Sequence, residues 1–112
     1  SGLDISATTV RVPVFHCHGE AINVKLSKEV NLNDVLDCFS ACSSVVLDEG
    51  GHADRGCNLS HQNKPQVIVS RVRLPYGCKN SKRVQFWNLA DNLRKGAATN
   101  ALQILHYFMK NL

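Results

Sequence analysis

The sequence predicts an α+β fold, a mixed or mostly antiparallel sheet packed with helices. Three observations lead to it. Alternating apolar residues mark several short strands, two segments carry apolar residues at helical spacing, and strands lie on both sides of the first such segment.

Thr8 to Val14 is rich in β-branched residues and reads as a strand. Pro13 marks its edge or end, because proline has no N–H for a ladder. From Ala21 to Leu26, Ile22, Val24 and Leu26 share one face against Asn23 and Lys25, the pattern of a half-buried strand. Asn31 is placed to cap a helix, with Asp34 three positions later. Leu32, Val35, Leu36 and Phe39 then form one apolar stripe, predicting a short packed helix over 32–42. Val45 to Leu47 reads as a brief strand. Gly50, Gly51, Gly56, Asn58, Asn63 and Pro65 make 49–64 an irregular loop. Gln66 to Leu74 alternates again, Pro75-Tyr76-Gly77 turns the chain, and Val84 to Leu89 is a further strand. Asn92 is placed to cap a last helix whose apolar residues include Ala101, Leu102, Leu105, Phe108 and Met109. Gly96, early in that helix, costs about 1 kcal/mol relative to alanine. It is either a tolerated surface glycine or a point where a ligand or another backbone comes close.

A length of 112 residues allows one modest domain, not a catalytic domain joined to a nucleotide-binding one. No run of eighteen apolar residues suggests a membrane helix, and no basic segment followed by an apolar one suggests a secretory leader. Thirteen Lys/Arg against nine Asp/Glu give a mild charge of +4. The basic residues are scattered, without zinc-finger spacing or an aromatic stripe, so nucleic acid is not expected as a partner. Five cysteines, an odd number without a CxxC pair, read as free thiols in a reducing, cytoplasmic compartment.

Chemistry concentrates between Arg11 and Glu20. On an extended chain His16 and His18 share a face and Cys17 points away, which makes a metal site from the three sterically awkward. For the same reason Cys17 and His18 do not meet as a nucleophile pair, and Cys17 reads as a packed thiol. Arg11 carries the fork that clamps a carboxylate or phosphate, and a histidine exchanges protons near neutral pH. An anion clamp with a general acid–base group is one reading; a structural histidine and a surface arginine are the other.

Two stretches add a resemblance. ISATTVRVPVFHCHGEA, residues 5–21, is similar to the region around the catalytic histidine of bacterial aspartate-semialdehyde dehydrogenases. FWNLADNLRKGAATNALQI, residues 86–104, resembles their C-terminal signature, and Val67 to Arg73 looks like the strand before it. The resemblance implies a glyceraldehyde-3-phosphate-dehydrogenase-like C-terminal domain. That family forms aspartate semialdehyde from aspartyl phosphate with NADPH, through attack by a cysteine on the acyl phosphate. It implies His18 as the acid–base residue, Arg11 as the clamp for the substrate carboxylate, and Asn92, Gly96 and Ala97 along the NADP coenzyme. It also implies a homodimer and a place in lysine, threonine, methionine and diaminopimelate synthesis. Gly19 departs from it, standing where many members have serine, and Ser70 replaces a common glycine.

The family's Gly-rich phosphate motif and its nucleophilic cysteine are not found in these residues. The chain therefore reads as the last third of a dehydrogenase, inactive by itself and binding no coenzyme alone. Residues 92–112 would be the C-terminal helix that packs on the nucleotide-binding domain. The alternative is a non-catalytic dimerisation or regulatory paralogue. An N-acetyl-glutamyl-phosphate reductase fits Asp91 to Ala98 poorly.

Overall fold

A computed structural model describes residues 2–49 and 62–111. Strand β1 (His18–Asn31) leads into helix α1 (Leu32–Ser40) and strand β2 (Val45–Asp48). Strands β3 (Val67–Arg73) and β4 (Asn80–Ala90) follow, then a π-helical turn over Arg94–Ala98 and helix α2 (Thr99–Lys110). The four strands form one sheet in the order β1-β4-β3-β2. Its two β4 pairings are antiparallel and β2–β3 is parallel. The α+β class with a mixed, mostly antiparallel sheet is therefore present. The loop expected over 49–64 falls mainly on residues outside the described ones.

Each face of the sheet is set by the strand period. Register places Ile22 opposite Phe86 and Val24 opposite Val84 on one face. There α1 presents Phe39 to Phe86, ring centroids 5.2 Å apart and nearly edge-on. Gly19 and Ile68 both lie opposite Leu89, on the other face, where Ile68, Leu89 and Cys17 form a small core flanked by Trp87. Burial is concentrated in the two central strands, which hold Ile68, Val69, Ser70, Val84 and Leu89.

The cap expected for α1 is present: Asn31 Oδ1 accepts from the Asp34 N–H at 2.9 Å, and Asn31 Nδ2 donates to Asp34 Oδ2 at 2.8 Å. β1 and β4 are longer than alternation alone suggested, because each supplies the other with a ladder past its apolar stretch.

Three expectations need correction. Thr8 to Val14 is not a strand. The Val14 N–H turns back to the Val12 carbonyl across Pro13 at 2.9 Å, and no neighbouring strand takes up the segment. Cys17 is not on an extended strand either. It lies one residue before β1 with φ +68°, so its burial comes from a left-handed kink and not from strand alternation. Finally, Asn92 does not cap the last helix. The carboxylate of Asp91 accepts from the Leu93 and Arg94 N–H groups, one residue earlier in the chain.

Candidate functional site

The ladder between β1 and β4 decides which expected site residues meet. His18 opens β1 and lies opposite Ala90, the last residue of β4. Two residues further on is Asn92, half-buried before the π-helical turn. The sheet thus brings the His18 position and the Asn92 segment to one end, although 73 residues separate them in sequence. His18 is exposed at that end. Beside it on the same face, the Glu20 carboxylate accepts from Asn88 Nδ2 at 2.9 Å, across the ladder.

Gly96 and Ala97 lie on the π-helical turn, both exposed. A Cβ built on Gly96 would come no nearer to its surroundings than 3.9 Å, to Asn92 Cβ. Nothing among the described residues demands a glycine there. Gly96 and Ala97 leave an open flank beside half-buried Asn92, with room for the edge of a ligand laid against the turn.

Arg11 is not gathered into this end by any strand. It is exposed, in the segment that precedes Pro13. Two open grooves of the described surface lie elsewhere. One is lined by Ala21, Arg71, Val72, Arg73, Phe86 and Trp87, another by residues of α1 and β2 with Arg71 and Val72. None of the five expected site residues lines either groove. His18, Gly96 and Ala97 are all exposed.

What the sequence reading passed over is the anchoring beneath that end. Asp91 is buried, 5% exposed. Its Oδ2 accepts from the Asn63 N–H at 2.6 Å and its Oδ1 from the Leu93 N–H at 2.9 Å and the Arg94 N–H at 3.3 Å. Arg94 returns to Asn63 Oδ1 through Nε at 2.9 Å and Nη2 at 2.7 Å. The Asn63 bond lowers the Asp91 pKa most, with burial opposing it and the Leu93 and Arg94 bonds and nearby His16 assisting. Burial, then the charge of Asp91, pushes the Cys17 thiol upward, which suits a packed thiol and not a nucleophile. The signal for Asp91 was present, since aspartate caps helices as readily as asparagine. The partner Asn63, 28 residues away, left no local trace.

Gly19 was also legible only as a departure. A Cβ there would fall 2.3 Å from Cζ2 and 2.8 Å from Cη2 of Trp87, so the indole occupies the space of any side chain at this position. Ser70 is buried, and its Oγ has no hydrogen-bond partner among the described residues.

A family model for the semialdehyde dehydrogenase dimerisation domain matches residues 1–95. The aspartate-semialdehyde dehydrogenase of Helicobacter pylori is 38% identical over 108 residues, covering 96% of this chain and 31% of that protein. That of Aquifex aeolicus is 32% identical over 109 residues, covering 96% of this chain and 32% of its own length. A crystal structure of aspartate semialdehyde dehydrogenase II from Vibrio cholerae, complexed with ASA, superposes with a TM-score of 0.77 at 35% identity. It covers 89% of this chain and 29% of that one. The chain thus spans about a third of the length of the curated relatives it matches.

Proposed function

The chain belongs to the semialdehyde dehydrogenase family, and from that premise we propose that it is the C-terminal part of an NADP-dependent aspartate-semialdehyde dehydrogenase. The whole enzyme interconverts L-aspartate 4-semialdehyde, phosphate and NADP with 4-aspartyl phosphate and NADPH. The observation that carries this reading is the pairing of His18 with Ala90, which sets a proton-exchanging side chain beside the Asn92 turn.

In this reading His18 takes the proton of a cysteine thiol contributed by the upstream part of the polypeptide, and later manages the proton of the tetrahedral adduct. Arg11 holds the carboxylate of the amino acid substrate with its two-pronged guanidinium. It does so once the upstream part orders the segment before Pro13. Asn92 donates to the nicotinamide amide, and Gly96 and Ala97 leave room for the coenzyme to pass. NADP, when bound, supplies the hydride acceptor.

Residues 92–112 pack on the nucleotide-binding domain, which covers the exposed apolar side of α2. The enzyme works as a cytoplasmic homodimer, in the synthesis of lysine, threonine, methionine and diaminopimelate. No helix among the described residues is long and apolar enough to cross a membrane.

The test is phosphate-dependent NADPH formation from aspartate semialdehyde by the full-length polypeptide that contains this chain. Turnover is expected from the full-length protein and none from residues 1–112 alone. Turnover by the isolated chain, or none by the intact protein, would overturn the reading.

A further inference from the structure

Asp91 stands between the two residues that the functional reading joins in one reaction. Ala90 before it pairs with His18, and Asn92 follows it. Both carboxylate oxygens are engaged: Oδ1 by the Leu93 and Arg94 N–H groups, Oδ2 by the Asn63 N–H. Asn63 is held in the left-handed region, φ +66°, and its own side-chain oxygen takes two bonds from Arg94. The contacts close a ring from Asp91 to Asn63 to Arg94 and back to Asp91.

Helix capping does not require this ring. A cap needs only an oxygen on the first helical N–H groups, which Oδ1 already provides. The leg to Asn63, and the return from Arg94, tie the approach to β3 onto the end of β4. They also keep a buried carboxylate fully hydrogen-bonded, without which its burial would be costly. Asn92 lies inside the ring, between two residues whose positions it fixes. Across the ladder, Cys17 and His16 lie close enough to Asp91 for electrostatic interaction, so the segment entering β1 meets the same carboxylate.

We propose that Asp91, Asn63 and Arg94 form a positioning clasp that sets Asn92 against His18, so that the nicotinamide contact serves the carbon of the reacting carbonyl group and the proton carrier serves its oxygen. The proposal rests on the dehydrogenase reading above. Asp91 is a positioning residue in it, acting through Asn92 without touching substrate or coenzyme.

Three variants of the full-length enzyme test it. Asn63→Gly keeps the left-handed backbone and the N–H to Asp91 but deletes the oxygen that Arg94 holds. Arg94→Lys keeps the charge and loses the fork. Asp91→Ala opens the ring altogether. The KM for NADP should rise about tenfold in Asp91→Ala and about threefold in the other two, with the KM for aspartate semialdehyde within about twofold of wild type. Asp91→Asn, which retains an acceptor oxygen, should recover part of the loss. A lowered Tm with unchanged KM for NADP in Asn63→Gly and Arg94→Lys would show the ring to be merely structural and would overturn the clasp. Those two variants decide the matter if Asp91→Ala fails to fold. A wild-type enzyme without phosphate-dependent turnover defeats the functional reading instead. NADP titration of the same variants then judges the clasp, and an unchanged Kd overturns it.

Discussion

Gly19 lies beneath the indole of Trp87, closer than any Cβ could stand. The position adjoins His18 at the start of β1, so the cost of a larger residue would fall on the strand that carries the candidate proton carrier. Serine, found there in many aspartate-semialdehyde dehydrogenases, requires the ring to move. Gly19→Ser in this chain should therefore destabilise it by about 1–3 kcal/mol, the usual range for overpacking. Trp87 is the sole tryptophan, so its fluorescence reports the displacement directly. A shifted emission maximum with a lowered unfolding midpoint is expected; an unchanged spectrum and midpoint would contradict the packing. Ser70 shows the opposite kind of departure. Its hydroxyl is buried opposite Trp87, without a partner among the described residues, where a glycine would leave no polar group to satisfy.

At the scale of elements, the two ends of the C-terminal segment behave differently. Its start is pinned by Asp91, whose carboxyl the Asn63, Leu93 and Arg94 N–H groups hold below the usual range. The unfolded carboxyl titrates at about pH 3.9. The stabilisation is therefore whole above that value and is lost as pH falls through it toward the lower folded pKa. In urea melts, wild type should lose stability between about pH 5 and pH 2 more steeply than Asp91→Asn, which has no charge to lose there. Parallel acid limbs would contradict this. Beyond the π-helical turn, α2 has no buried residue, and Leu102, Tyr107 and Met109 are 66–67% exposed. Twelve residues, none of them buried, make a marginal helix. In the isolated chain its amides should exchange hydrogen orders of magnitude faster than those of β4. Equal protection would mean that α2 has found a partner, such as a second copy.

Physical range separates the elements that were legible in the sequence from those that were not. Asn31 with Asp34, and the stripe from Leu32 to Phe39, are neighbours on one helix, and both were readable. The alternation of Ile22 and Val24 also survives, because a half-buried strand writes its period locally. That expected from Val67 to Arg73 is broken by a bulge, where Arg71 has φ +55° and the register to β4 shifts between Ser70 and Arg73, moving Arg73 to the face of Ile68 and Ser70. Thr8 to Val14 has the composition of a strand and forms none, since propensity cannot supply a ladder partner and Pro13 turns the chain. At the helix entry, Asn92 was expected to hold the cap, but Asp91 holds it. That choice depends on Asn63, which composition near Asp91 could not reveal.

At the scale of the whole molecule, the chain is more extended than a compact domain of its length. Its radius of gyration is 15.4 Å. A compact domain of this length would have about 13 Å. The difference fits an α2 without buried residues and an extended segment before Cys17 whose Leu3, Ile5 and Val10 are about four-fifths exposed. Covering six large apolar side chains on α2 would contribute on the order of 10 kcal/mol. On the proposed reading, the rest of the polypeptide would supply that cover. The same division applies to the chemistry. On the proposed reading, this chain would provide the proton carrier, the substrate clamp and one flank of the coenzyme, and the upstream part the nucleophile.

That division turns on His18. In the full-length enzyme, His18→Asn should lower kcat by about a hundredfold or more, the usual worth of a positioned acid–base group. Because His18 is exposed and outside the core, the unfolding free energy should stay within about 0.5 kcal/mol of wild type. A variant that keeps kcat within about twofold of wild type would contradict the assignment of proton transfer to this chain.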